Sequence, residues 1–262
     1  MNPYLTIFNR QIPLYGMFFY LGIALAAALA LLLCRKKQIA WYDVAYSGVY
    51  TMIGAVLGAK LLFLVVSMRQ IITEHIPLEA VIKGGFVFYG GLLGGAAGLL
   101  IYIKQFRMQE QAIRLCHLYV TVLPLGHALG RVGCFFAGCC YGIPHDGFLS
   151  HTYHTAMGST PLGTPLLAVQ LIEAACLCLL FLLLLVVFLK SKQNSGAGIL
   201  LYATLYPLMR FLLEFFRGDT ERGKLLGLST SQWVSLAILT ASGIYGICRL
   251  LGSRRDTAKI DQ

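Results

Sequence analysis

Leu166-Leu167-Ala168-Val169-Gln170-Leu171-Ile172-Glu173-Ala174-Ala175-Cys176-Leu177-Cys178-Leu179-Leu180-Phe181-Leu182-Leu183-Leu184-Leu185-Val186-Val187-Phe188-Leu189 is a stretch of 24 residues whose strongly polar side chains, Gln170 and Glu173, both fall near its start. A helix needs about 20 apolar residues to cross the hydrocarbon core of a bilayer. A barrel strand would alternate apolar and polar positions, whereas this run is continuous, so a membrane helix is favoured. Six further runs have the same character: Leu14–Leu33, Val44–Val66, Gly85–Ile103, Ala112–Gly130, Gly198–Phe216 and Gln232–Leu250. The expectation is an all-α polytopic membrane protein with seven transmembrane helices, forming one transmembrane domain over residues 1–262.

Composition agrees. Of 262 residues, 58% are hydrophobic and 12% charged, and the mean hydropathy is +0.73. A soluble domain carries roughly a quarter charged residues. Disorder, a coiled coil and a soluble enzyme of ordinary surface are therefore excluded. The net charge of +10 would suggest nucleic acid in a soluble protein. Here no wet surface interleaves basic and aromatic residues, so nucleic acid is not expected as a partner.

The positive charge instead orients the chain. The loops after the first, third and fifth segments and the tail from Arg249 hold twelve Lys and Arg, the opposite side seven. This places the N-terminus outside and the C-terminus in the cytoplasm, with outward-facing loops over residues 67–84 and 131–165. The first segment is as long as a bilayer span and lacks a basic leader, so it is expected to stay as an anchor.

Polar residues inside such segments are costly and mark function. In the sixth segment Tyr206, Arg210, Glu214 and Arg217 are spaced by four, four and three residues, which on a helix is one stripe. A snorkelling or purely stabilising ion pair is the plainer reading. Topology then aligns the rest. Arg131 sits at the exit of the fourth segment and Lys60 in the outer half of the second; Tyr15, Tyr89, Gln170, Glu173 and Gln232 lie near the starts of inward-running segments. All seven segments thus place their unusual groups at one depth near the outer leaflet. Arginine forks match phosphate oxygens bidentately and stay charged, so a basic ring with few acids suits an anionic lipid headgroup entering from the bilayer.

Two glycine- and cysteine-rich stretches remain. Gly84-Gly85, Gly90-Gly91 and Gly94-Gly95 allow close approach of a helix or a lipid chain. Cys134, Cys139 and Cys140 cluster in Gly133-Cys134-Phe135-Phe136-Ala137-Gly138-Cys139-Cys140-Tyr141-Gly142. The open readings are zinc bound with His145, His151 or His154, a disulfide from Cys134 to Cys139 or Cys140, a thiol that carries lipid, and tight packing.

Several stretches resemble the prolipoprotein diacylglyceryl transferase family. Gly130-Arg131-Val132-Gly133, with Phe135, Gly138 and Tyr141-Gly142, resembles the signature G-R-x-G-N-F-x-N-G-E-x-[WY]-G. Gly84-Gly85-Phe86-Val87-Phe88-Tyr89-Gly90-Gly91 is similar to G-G-M-x-x-H-G-G, and Gly58-Ala59-Lys60 to G-[AG]-R. Ala168-Val169-Gln170-Leu171-Ile172-Glu173 resembles P-x-Q-L-Y-E, and Arg210 through Glu214 to Arg217 resembles R-x-x-x-E-x-x-R. Leu14-Tyr15-Gly16 and Leu228-Ser229 with Gln232 complete the set, in family order.

The resemblance implies a multi-pass enzyme of the bacterial cytoplasmic membrane. It would move the diacylglyceryl group of phosphatidylglycerol to the lipobox cysteine of a prolipoprotein and release glycerol phosphate. Tyr89, Arg131 and Arg210 are the expected catalytic residues. Tyr15, Lys60, Cys134, Gly142, Gln170, Glu173, Tyr206, Glu214 and Arg217 are expected to bind substrate; no cofactor and no metal is expected. The chain departs from the family at Tyr89, where the family has histidine, at Cys134 and Ala137, where it has asparagine, and at Cys139, where it has glutamate. A phenol is a weak base at neutral pH. Either Arg131 and Lys60 make Tyr89 a better one, or Tyr89 only donates a hydrogen bond, or the lipid goes to a different acceptor. A non-catalytic phospholipid-binding membrane protein is the remaining alternative.

Overall fold

A computed structural model of the chain describes residues 3–8, 10–73, 77, 79, 85, 87–219 and 224–260. It is 72% helical. Among the described residues the long helices are α1 (Leu14–Leu33), α2 (Trp41–Thr73), α3 (Phe88–Gln105), α4 (Ala112–Ala137), α5 (Val169–Lys190), α6 (Ala197–Leu213) and α7 (Thr230–Ile260). Each apolar segment of the sequence therefore forms a helix, and α1 agrees with its segment at both ends. Among the described residues, five stretches are long and apolar enough to cross a membrane: Leu14–Lys37, Trp41–Met68, Gln109–Ala137, Val169–Lys190 and Ala197–Phe216. Their outer faces carry apolar side chains such as Tyr20, Leu32, Leu61 and Leu179, all well exposed. That is the reverse of a soluble surface and suits lipid as solvent.

Two helices outrun the sequence reading. Residues 67–73 continue α2, and residues 131–137 continue α4, where loops are expected. Polar residues such as Ser67 and Arg131 mark the edge of the apolar stretch. They do not oblige the backbone to leave the helix, which satisfies its own hydrogen bonds at any depth. Of the residues singled out in the sequence, Gly84 and Phe86 lie outside the described residues.

The chain divides into two compact units, one formed by Ala30–Leu115 and the other by Met1–Leu29 with Cys116–Gln262. In the first of these, α2 and α3 pack antiparallel through glycine. A Cβ on Gly94 would overlap the Gly54 carbonyl and come within 2.9 Å of the Gly58 Cα. Only glycine permits that approach, so these glycines serve helix packing. Opposite ends of the pair are tied by Tyr102, whose hydroxyl donates to Asp43 Oδ1 at 2.7 Å, and by the Val87 N–H, which donates to the Ala59 carbonyl at 3.2 Å.

In the other unit α1 and α4 also run antiparallel: a Cβ on Gly22 would lie 2.7 Å from the Gly126 carbonyl oxygen, and one on Gly133 3.2 Å from the Tyr15 carbonyl oxygen. Phe18 and Phe136 stack at 5.1 Å. Ala128, Ala174 and Leu177 form a buried contact between α4 and α5, covered by Val132, Tyr206 and Met209. Among the described residues are three short hairpins, one before α1 and two between helices. They are β1 (Tyr4–Ile7) with β2 (Arg10–Pro13), β3 (Ser150–Thr152) with β4 (Pro165–Leu167), and β5 (Lys224–Leu225) with β6 (Leu228–Ser229), all antiparallel. Under the second hairpin lies a small core of Phe135, Tyr153, Leu166 and Ala168. The long loop after α4 is thus a folded element.

Candidate functional site

The last turns of α4 carry Arg131, and the first two turns of α5 carry Gln170 and Glu173. At a spacing of three, these two share one face, and both are 1% exposed. Glu173 is a hub. Its Oε1 lies 3.0 Å from Arg131 Nε and 3.9 Å from His127 Nε2, and its Oε2 lies 3.9 Å from Arg217 Nη1. His127 is one helical turn before Arg131, and its ring lies 5.7 Å from that of Tyr206. A buried carboxylate must be paired, and this one is shared between two guanidinium groups.

The end of α6 supplies the second half. Arg210 Nη2 is 2.6 Å from Glu214 Oε2 and donates to Ser231 Oγ at 3.4 Å. Ser231 is held at 2.9 Å from Ser229 Oγ, and the Ser229 N–H donates to Gln232 Oε1 at 2.9 Å, capping the start of α7. The stripe expected from Tyr206 to Arg217 holds only through Glu214. There the helix tightens into a 3-10 turn, Glu214–Phe216, and Arg217 is extended. Arg217 Nε ends 3.9 Å from Glu214 Oε2 and turns to Asp219, donating through Nε and Nη2 at 2.9 and 2.8 Å.

Backbone pairing fixes Arg217 in place. Gly142 and Arg217 form an antiparallel bridge. The Ile143 N–H donates to the Phe216 carbonyl at 3.0 Å, and the Gly218 N–H to the Tyr141 carbonyl at 2.9 Å. Any Cβ at Gly142 would overlap the Leu167 carbonyl and lie 3.1 Å from that of Phe216. What Gly142 does here is let the Leu167 and Phe216 backbones approach closely.

The charge balance differs from the ring with few acids read from the sequence. Arg131, Arg210 and Arg217 are matched by Glu173, Glu214 and Asp219, so the cluster is neutral. What it offers an anion is donors. Arg210 Nη1 and Arg217 Nη1 are buried and have no hydrogen-bond partner among the described residues. A buried N–H without an acceptor is costly, and a bound oxyanion would satisfy it.

Beside these guanidinium groups the chain turns through Gly138 and Cys140, both at positive φ. Gln170 Nε2 donates to the Cys139 carbonyl at 2.8 Å, the Cys139 N–H donates to the Cys134 carbonyl at 3.1 Å, and Thr160 Oγ1 donates to the Gly138 carbonyl. Tyr153 donates to the Phe135 carbonyl at 3.1 Å, and burial pushes its phenol up, so it stays a donor. The turn brings the sulfurs of Cys134, Cys139 and Cys140 within 4.8 Å of one another, all three as free thiols. The disulfide read from the sequence is thus not formed here, and His145, His151 and His154 stand outside the sulfur group. The neighbouring Cys134 and Cys139 thiols, with Arg217 and Arg131 close by, hold the Cys140 thiol below the ordinary range.

Ten of the twelve residues expected at the site fall in this unit: Tyr15, Arg131, Cys134, Gly142, Gln170, Glu173, Tyr206, Arg210, Glu214 and Arg217. Tyr15, at the start of α1, is within electrostatic reach of the three thiols and Arg131. Lys60 and Tyr89 belong to the other unit. Lys60 Nζ sits 4.9 Å above the Phe63 ring, and the half-buried Tyr89 is in the first turn of α3. Sequence reasoning passed over His127, Asp219, Tyr153 and Ser231. For His127 a signal existed, since it lies four residues before Arg131 inside an apolar segment. The others are brought in by turns that no helical spacing encodes.

Comparison with known proteins bears on this geometry. Residues 3–248 match the model of a family described as prolipoprotein diacylglyceryl transferase. The chain is 31% identical over 256 residues to phosphatidylglycerol--prolipoprotein diacylglyceryl transferase 2 of Clostridium perfringens, covering 97% of each chain. It is 34% identical to the phosphatidylglycerol--prolipoprotein diacylglyceryl transferase of Clostridium tetani, over 90% of this chain and 93% of the relative. With that of Synechococcus elongatus it shares 28% identity over 92% and 84% of the two chains.

Proposed function

The chain belongs to the prolipoprotein diacylglyceryl transferase family, and from that membership we propose that its arginine–carboxylate network holds phosphatidylglycerol while the lipid passes to a prolipoprotein. The enzyme transfers the diacylglyceryl group of phosphatidylglycerol to the lipobox cysteine thiol. The thiol sulfur bonds to the glyceryl carbon, the carbon–oxygen bond to the phosphate breaks, and glycerol phosphate leaves. Negative charge grows on the phosphate oxygen as that bond breaks.

The observation that carries the reading is the set of buried guanidinium donors with no hydrogen-bond partner among the described residues, Arg131 Nε, Arg210 Nη1 and Arg217 Nη1. Donors already oriented toward a developing charge stabilise a transition state without reorganising. Arg131 and Arg210 are the catalytic pair for the leaving phosphate. Arg217 adds its Nη1 to the headgroup site, Glu173 and Glu214 position the arginines, and Gln170 and Gly142 hold the loop that follows Cys134. Tyr15 and Tyr206 supply hydroxyls to the lipid head. Tyr89 stands where the family has its histidine; it handles the thiol proton, with Lys60 as a further cation on the substrate side.

The same reading sets the topology. All seven helices cross the bacterial cytoplasmic membrane, with the N-terminus outside and the C-terminus in the cytoplasm. At a rise of about 1.5 Å per residue, the 18 residues of α3 reach about 27 Å, close to the ~30 Å hydrocarbon core. The antiparallel pairs α1–α4 and α2–α3 fit alternate crossings. The excess of Lys and Arg on the inner side, twelve against seven, supports the orientation.

Complementation tests the reading. A strain lacking lipoprotein lipidation should regain thioether-lipidated prolipoprotein when it expresses this chain. Failure of the expressed, membrane-inserted chain to restore it would point to the different-acceptor alternative.

A further inference from the structure

Three sulfurs that converge on one point need an explanation that packing does not supply. Cys134 sits on the last turn of α4, whereas Cys139 and Cys140 follow a tight turn. The turn is held by the Gly138 and Cys140 backbones at positive φ and by the Gln170 and Thr160 hydrogen bonds. A non-glycine residue at positive φ is an uncommon and costly conformation. Here it has a visible result: adjacent residues 139 and 140 both direct their sulfurs at Cys134, so that all three atoms lie within 4.8 Å of one another. Tetrahedral bonds of about 2.3 Å from sulfur to zinc put neighbouring sulfurs ~3.8 Å apart, a small contraction from this arrangement.

We propose that Cys134, Cys139 and Cys140 form a three-thiolate site for a soft divalent cation, zinc by its chemistry, whose fourth position accepts the thiol of the protein substrate. The acceptor half of this inference rests on the transferase reading given above; the metal half does not.

Ligand type and charge both favour such an ion. Thiolates select zinc over the hard cations of a cell. Three thiolates around a divalent cation carry one net negative charge, and Arg131 and Arg217 are the nearest cations, each in electrostatic contact with Cys140. Three protein ligands are also the number that leaves a position open. All three cysteines are partly buried rather than fully enclosed. A thiol that takes the open position loses its proton outright, the proton that the reading above hands to Tyr89. The resulting sulfur keeps the electron pair that forms the new bond to the glyceryl carbon, and the pair of the broken carbon–oxygen bond leaves with the phosphate. This would supply a nucleophile in a chain whose expected base is a tyrosine.

The test uses the full chain purified in detergent under reductant, loaded with Zn2+ or Co2+ and freed of excess metal. One metal per chain is expected, with sulfur-to-cobalt charge-transfer absorption in the Co2+ form. Each of C134S, C139S and C140S should lose most of that metal, while C178S, on the lipid-facing part of α5, should retain it. Adding a lipobox peptide should intensify the charge-transfer band by one sulfur ligand, and the same peptide with serine for cysteine should leave it unchanged. A reduced wild-type chain that retains no metal, or holds it equally in the triple serine variant, overturns the site whether or not lipid transfer occurs. Metal bound through sulfur with no response to the cysteine peptide overturns the acceptor role alone. Transfer activity, measured separately, bears only on the transferase reading.

Discussion

Glu173 Oε1 lies 3.0 Å from Arg131 Nε, and the other oxygen of that carboxylate faces Arg217 Nη1 at 3.9 Å. One buried acid on α5 therefore fixes two cations from elements 86 residues apart in sequence, and the phosphate site depends on it. Glu173→Gln keeps the shape and removes the charge. Breaking a buried pair from one side costs about 3–5 kcal/mol. We expect a lowered thermal midpoint in detergent and a transfer rate reduced at least tenfold. Unchanged stability would mean that Glu173 does not carry the network.

Arg217 binds Asp219 through two parallel hydrogen bonds of 2.9 and 2.8 Å, while its Nη1 faces Glu173 at 3.9 Å, has no hydrogen-bond partner among the described residues and can donate to an anion. Lysine retains the charge but has no planar fork and cannot do both. Arg217→Lys should raise the KM for phosphatidylglycerol about tenfold, the equivalent of one charge-assisted hydrogen bond of roughly 1.5 kcal/mol. Steady-state kinetics in mixed micelles measures this, and a KM equal to that of the parent would remove Arg217 from the headgroup site.

The α2–α3 contact yields a contrast within one helix. A Cβ at Gly94 would overlap backbone of α2, whereas a Cβ at Gly91 would sit 3.5 Å from Ala55 and Ala59, an ordinary contact. Gly94→Ala should lower the thermal midpoint and Gly91→Ala should not. Alanine also gains roughly 0.5–1 kcal/mol over glycine in a helix, so the second variant should match or slightly exceed the parent. Equal losses at both positions would show that the glycine contact is not what joins the helices.

Tyr89 can be tested by replacement in both directions. Tyr89→His restores the residue type of the family, and Tyr89→Phe removes only the hydroxyl. We expect the histidine variant to support lipidation in the complemented strain and the phenylalanine variant to lose most of it. If the phenylalanine variant works as well as the parent, the hydroxyl takes no part in moving the thiol proton.

Much of this was legible in the residues. Apolar runs long enough to span a bilayer located each of the seven long helices among the described residues, because in lipid the backbone has little choice of structure. Helix ends were less readable: Ser67 and Arg131 signal the edge of an apolar stretch, and the helices pass through it. At the site, i, i+3 and i, i+4 spacings brought out Gln170 with Glu173 and Arg210 with Glu214. They failed at Arg217, because a 3-10 turn and the pairing with Gly142 turn that side chain toward Asp219. The neutral charge balance was hidden for the same reason, since Asp219 enters through a turn. The convergence of Cys134, Cys139 and Cys140 depends on two residues at positive φ, which their spacing does not encode.

The most direct measurement uses the purified chain, phosphatidylglycerol labelled in its glycerol headgroup, and a lipobox peptide, with products resolved by mass spectrometry. The account predicts a peptide carrying diacylglycerol in thioether linkage, an equal amount of labelled glycerol phosphate, and loss of both in Arg210→Ala. A chain that is folded and binds phosphatidylglycerol yet forms neither product would contradict it.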